Sequence, residues 1–98
     1  MAKPSVLVSR RWPAAVEATI ADRFEAEFNR ADRPLTPAEF REAIARYDAV
    51  LPTVTDFLGR EALDTPKPAA RIIGNYGVGI SQIDVDSAKD MGIALERT

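Results

Sequence analysis

Five short runs of β-branched and apolar residues alternate with stretches bearing helix signals, and this alternation constrains the fold more than any other feature of the chain. Ser5-Val6-Leu7-Val8-Ser9 fits a buried strand. After Arg10-Arg11-Trp12, Pro13 suits the first turn of a helix, where its missing N–H would have no helical partner anyway. Val16, Ile20 and Phe24 recur at i, i+4 and i+8 and so fall along one face of that helix. Glu25 to Arg30 fits a short edge strand with Phe28 turned inward. Thr36-Pro37-Ala38-Glu39 spells a capping box, with Phe40 and Ile44 as the apolar stripe behind it. Tyr47 to Leu51 reads as a third strand stopped by Pro52, and Gly59 to Leu63 as a short helix. Thr65-Pro66-Lys67-Pro68 forces a turn before a fourth strand, Arg71 to Asn75. Asp84 can cap a helix from Val85 to Met91 that Gly92 closes, and Ile93-Ala94-Leu95 is the fifth strand.

Strands separated by helices call for right-handed crossovers and a mainly parallel sheet. Five of them predict an α/β, flavodoxin-like three-layer sandwich with strand order 2-1-3-4-5. At 98 residues the chain is one small domain, with a 46% hydrophobic fraction sufficient for a single core. Ligands of such sheets bind beyond the carboxyl ends of the strands. Three loops should lie there: Ser9–Pro13, Pro52–Asp56 and Tyr76–Ile80.

Composition removes several classes of chemistry. The chain has no histidine and no cysteine, which excludes Ser–His and Cys–His pairs, thiolate chemistry and the usual zinc ligand sets. A formal net charge of −2 gives no reason to expect nucleic acid or an anionic membrane as partner. No apolar run approaches the roughly 18 residues of a membrane span, and Met1-Ala2-Lys3-Pro4 lacks a signal-peptide core, so a cytoplasmic location is the default expectation.

The run Ile72 to Asp84 holds the most informative loop. Gly74, Gly77 and Gly79 lack a Cβ, so the main chain there can approach a ligand closely and adopt positive φ. Lying ahead of a helix, such a turn suits a small anion. Its glycine order, G-x-x-G-x-G, differs from the dinucleotide fingerprint G-x-G-x-x-G, which points to a substrate loop. Other residues have plainer expectations. Arg10 and Arg11 read as a solvated surface, Trp12 as the edge of the core, and Thr53 and Thr55 beside Asp56 as turn formers. Asp84 and Asp86 belong at a helix N-terminus rather than on a metal. A receiver-like acid pocket is excluded, because strand one leads into Ser9-Arg10-Arg11 and strand three into Pro52. Flavin binding would want a hydroxyl-rich loop after strand one, where Ser9 stands alone.

Asn75-Tyr76-Gly77-Val78-Gly79, then Ile83-Asp84, then Ala88-x-x-x-Gly92-Ile93-Ala94, resembles the D-isomer-specific 2-hydroxyacid dehydrogenases, most of all their glyoxylate/hydroxypyruvate reductases. Val6 to Pro13, Tyr47 to Val50 and Thr55-Asp56 through Leu63 are similar to the same family, so the resemblance covers essentially the whole chain. Glu96-Arg97 departs from the family's usual Asn-Thr-Pro-like turn. The resemblance implies that residues 1–98 form a substrate-binding (catalytic) lobe without the Rossmann cofactor lobe. It implies that the main-chain N–H groups of Val78 and Gly79, within Gly77-Val78-Gly79, hold the carboxylate of a 2-oxo acid. Tyr76 would line the pocket, and Thr53 to Asp56 would form the neighbouring wall. It further implies NADH or NADPH as hydride donor for a full-length member, with no cofactor and no catalytic residue supplied by this chain, which alone should not turn over. A full member returns a C-terminal helix to this lobe, and without it an exposed surface should favour a homodimer or other association. The alternative left open is a stand-alone, non-catalytic module that binds small acids or proteins.

Overall fold

The computed structural model describes residues 3–29, 33–53, 56–65, 68–75 and 83–97. Its elements are β1 (Ser5–Val8), α1 (Ala14–Arg23), β2 (Glu25–Phe28), α2 (Pro37–Arg46), β3 (Ala49–Leu51), β4 (Ile72–Asn75), α3 (Val85–Asp90) and β5 (Ala94–Arg97). The strands form one sheet in the order β2-β1-β3-β4-β5. All four pairings are parallel, with Val6 opposite both Ala26 and Ala49, Val50 opposite Ile73, and Ile73 opposite Leu95. The expected α/β architecture and strand order are therefore those of the molecule.

Period-two alternation divides the core between the two faces of the sheet. Val6, Val8 and Ala49 point to one face and pack with Ile20 of α1, flanked by Trp12, Phe24, Phe28, Leu51 and Ile72. Val50 and Ile73 point to the other, where α2 contributes Phe40, Ala43 and Ile44 and α3 contributes Ala88. That second face is the larger cluster and includes Leu58, Ala62, Leu63 and Ile83 from the connections. Right-handed crossovers explain the asymmetry. The β1-to-β2 crossover runs in the opposite direction across the sheet to all later ones, so α1 has its face to itself among the described residues. Over β4 and β5 that face carries half-buried Ile72 and exposed Ala94.

Several local expectations shift by a residue or more, each for a hydrogen-bonding reason. Pro13 sits at the N-cap rather than inside the first turn, with ψ 140°. Phe24 lies beyond the end of α1 in extended conformation, so the expected apolar face reduces to Ile20, and Val16 is 40% exposed. Strand β3 begins at Ala49 because Tyr47 N still donates to Ala43 O (2.8 Å) and Asp48 is occupied with Ser5, accepting Ser5 N at Oδ2 (2.9 Å). Residues 59–63 make a single turn, with Leu63 N donating to Gly59 O and Arg60 O at 3.2 Å each, in place of the expected helix. Strand β5 starts at Ala94 because the N–H of Ile93 is used to end α3, donating to Ala88 O at 3.0 Å.

The two stronger cap signals hold. Thr36 accepts from Glu39 N (3.2 Å) while Glu39 Oε1 accepts from Thr36 N (2.9 Å), completing the capping box. Asp84 Oδ1 accepts from Ser87 N at 3.1 Å, and Gly92 takes φ 73° at the C-terminal end of α3.

Candidate functional site

The carboxyl edge of the sheet is where the described buried polar side chains gather. Five such residues are buried: Ser9, Thr53, Asp56, Thr65 and Asn75. Four of them follow or end a strand at this edge: Ser9 after β1, Thr53 and Asp56 after β3, and Asn75 at the end of β4. Thr65 lies elsewhere, with its hydroxyl directed at Arg41 O (3.4 Å). Burying a polar group is costly unless it is hydrogen-bonded, so a concentration of them needs a common partner.

Asp56 is that partner for Ser9 and Thr53. Its Oδ2 accepts from Ser9 Oγ at 2.6 Å and from Thr53 N at 2.9 Å, with Thr53 Oγ1 at 3.4 Å. Asp56 N in turn donates to Thr53 O at 3.0 Å. Pro52 has no N–H to give the ladder, and the next main-chain donor, Thr53 N, goes to the Asp56 carboxylate. On the other side, Ser9 O accepts from Asn29 Nδ2 (2.8 Å), and Asn29 N donates to Val8 O (3.0 Å). A continuous chain of hydrogen bonds, Asn29–Ser9–Asp56–Thr53, thus crosses the ends of β2, β1 and β3. Asp56 is 2% exposed, and its Oδ1 has no hydrogen-bond partner among the described residues.

Of the residues expected to bind substrate, Thr53 lies on this edge, 7% exposed, with its N–H donated to the Asp56 carboxylate. Tyr76, Gly77, Val78 and Gly79 lie outside the described residues, as does Thr55. Gly74 belongs to β4 and, contrary to expectation, is not a positive-φ position. A Cβ there would stand 2.8 Å from Leu51 Cδ2, so its lack of a side chain serves packing between β3 and β4. Arg11 is exposed and reaches Glu17 at 4.0 Å, while Trp12 packs at the edge of the α1 cluster. The sequence reading missed Asp56 as a hub and Ser9 and Asn29 as its neighbours. The available signal was a hydroxyl directly after a buried strand and an aspartate three residues after Thr53, behind a strand-ending proline.

The described helix N-termini do not fit the dinucleotide that the resemblance implies for a full-length member. A pyrophosphate needs free main-chain N–H groups and no competing negative charge. At α3 the Asp84 carboxylate already occupies Ser87 N, with Asp86 in the first turn. At α1 the N-cap is Pro13, and Glu17 in the first turn accepts Trp12 N at 2.9 Å. Among the described residues no group of three or more carboxylates is placed to hold a metal, and no helix is long and apolar enough to cross a membrane.

Comparison with known proteins agrees with this architecture. The family model for the D-isomer specific 2-hydroxyacid dehydrogenase catalytic domain matches residues 6–98. A glyoxylate reductase of Thermococcus onnurineus is 27% identical over 96 residues, covering 98% of this chain and 28% of its own length. One from Korarchaeum cryptofilum is 30% identical, over 98% of this chain and 29% of its own. A solved structure described as a putative D-isomer specific 2-hydroxyacid dehydrogenase, NAD-binding, from Polaromonas superposes with TM-score 0.86 at 27% identity, over 95% of this chain and 29% of that one. The chain therefore spans a little under a third of the length of the relatives it matches. With the sheet order and the extent of the match in agreement, the chain belongs to the D-isomer specific 2-hydroxyacid dehydrogenase family, within the catalytic domain.

Proposed function

We propose that this chain is the substrate-binding lobe of an NAD(P)-dependent oxidoreductase that reduces 2-oxo acids of the glyoxylate or hydroxypyruvate type to D-2-hydroxy acids. The observation that supports it most is topological. β4 is an interior strand, between β3 and β5, and its carboxyl end leads in sequence to Tyr76-Gly77-Val78-Gly79 from the edge where Ser9, Thr53, Asp56 and Asn75 are buried. Main-chain N–H groups of Val78 and Gly79 hold the acid's carboxylate in this reading. Charge-assisted bonds of that kind are short and strong, and they require only room for the ligand to approach. Tyr76 and Thr53 form the walls. The glyoxylate reductases among the relatives support the substrate class.

The role of this chain's own residues is to bind and orient the acid. A nicotinamide, held by other residues of a full-length member, would supply the hydride. With no histidine and no described turn fit for a dinucleotide, the 98-residue chain by itself is expected to be inert. Two measurements test the proposal. Titrating the labelled chain with glyoxylate should shift the amide resonances of Val78 and Gly79 first; shifts confined to other regions would overturn the site. Mixing the chain with glyoxylate and NADPH or NADH should leave cofactor absorbance at the blank rate, and steady oxidation would overturn the assignment of chemistry to another lobe.

A further inference from the structure

We infer that Asp56 is a positioning residue of the acid-binding site, a role that rests on the function proposed above. Its carboxylate is the joint between two loops that leave the sheet side by side. Ser9 Oγ reaches it from the end of β1 at 2.6 Å, and Thr53 N from the end of β3 at 2.9 Å. β1 and β3 are neighbours in the sheet, and β3 pairs with β4, whose carboxyl end enters the glycine loop. Fixing Thr53 against Ser9 therefore sets the position of the wall beside that loop. Asn29 extends the same constraint to β2, bonding Ser9 O at 2.8 Å.

The other oxygen separates this role from ordinary turn capping. A turn needs one acceptor, and Oδ2 supplies it. Among the described residues Oδ1 is buried with no donor, although an unsatisfied buried polar atom costs free energy that a well-packed turn has no reason to bear. Asp56 bears that cost while its Oδ2 ties the end of β1 to the end of β3, a tie between strands that a local turn does not need.

Asparagine discriminates between position and charge. In Asp56→Asn the amide oxygen can accept from Ser9 Oγ and Thr53 N as Oδ2 does, while the negative charge is gone. In Asp56→Ala both donors are stranded. With glyoxylate as the probe and amide shifts as the readout, Asp56→Ala should bind about tenfold more weakly than the parent chain. Asp56→Asn should stay within about twofold of it, since its acceptor is retained. Thermal unfolding is recorded alongside, because a merely structural residue would lower the melting temperature of Asp56→Ala and leave its affinity alone. Should Asp56→Ala fail to fold, Ser9→Ala removes a single donor from the same oxygen and should still weaken binding about threefold. Equal affinity in the folded variants overturns the positioning role while leaving the acid site standing. An absence of glyoxylate binding in the parent chain overturns the acid site and the inference with it.

Discussion

Replacing Gly92 by alanine isolates backbone conformation from packing. Gly92 takes φ 73°, in the left-handed region, and an added Cβ would meet nothing within 4 Å. Any cost is therefore conformational rather than steric crowding by a neighbour. The left-handed region costs a non-glycine residue about 1–2 kcal/mol. Alanine also restricts the unfolded chain, which returns roughly 0.4–1 kcal/mol. The net loss should be about 1 kcal/mol, or about 4–8 °C in melting temperature for a domain of this size. The conformation is held in place by a Schellman closure. Gly92 N donates to Lys89 O and Ile93 N to Ala88 O, both at 3.0 Å, and Ala88 and Ile93 are buried in the same cluster. Asparagine tolerates this region better, so Gly92→Asn should lose less than Gly92→Ala. Gly74→Ala is the opposite control: its backbone is permissive, but the new Cβ would stand 2.8 Å from Leu51 Cδ2. Moving that flexible side-chain end costs about 0.5–1.5 kcal/mol, offset by about 0.5–1 kcal/mol gained on leaving glycine in a strand. Gly74→Ala should thus be close to neutral. Urea unfolding followed by circular dichroism, with the denaturant slope checked for constancy, gives all three values. A neutral Gly92→Ala alongside a damaging Gly74→Ala would refute the reasoning.

Two further outcomes follow from the same coordinates. Arg33 and the Thr36 main chain hold the Glu39 carboxyl down to about 2, below the ordinary 4.5, so the stabilisation is complete above the ordinary value and fades as pH falls from there through about 2. The stability difference between the parent chain and Glu39→Gln should shrink across that interval, and a difference independent of pH would remove the ion pair with Arg33 as its source. The face over β4 and β5, with half-buried Ile72 and exposed Ala94 and only α1 alongside among the described residues, should promote self-association. Light scattering is expected to show a dimer or larger form, and a monomer maintained at high concentration would count against that surface.

Residues near one another in sequence wrote the local rules plainly. The Thr36–Glu39 box, the Asp84 cap and the Gly92 stop appear where the residue types place them, because each is satisfied within a few positions of chain. Alternating strands and helices were enough for a parallel sheet, and the order expected of five such strands in a flavodoxin-like fold is the one found, β2-β1-β3-β4-β5. Element ends were less legible. Tyr47, Asp48 and Ile93 fit extended structure by type, yet their N–H groups are taken by Ala43, Ser5 and Ala88. Val16 matched the helical period of Ile20, but with Phe24 beyond the helix the buried stripe narrowed to one residue.

The candidate site divides the same way. The glycines of Gly77-Val78-Gly79, between a buried strand and a capped helix, are legible in the sequence, and they direct attention to the end of β4. Asp56 is different: Ser9 is 47 positions away, and nothing at that separation announces a 2.6 Å hydrogen bond. Pairing of β1 with β3 brings the two together, and their burial makes the bond obligatory because neither can turn to water. The chain alone therefore determined the fold class and the caps, which depend on short-range periodicity and donor placement. Tertiary structure decided which polar groups share a buried edge, since that depends on strands meeting across a sheet.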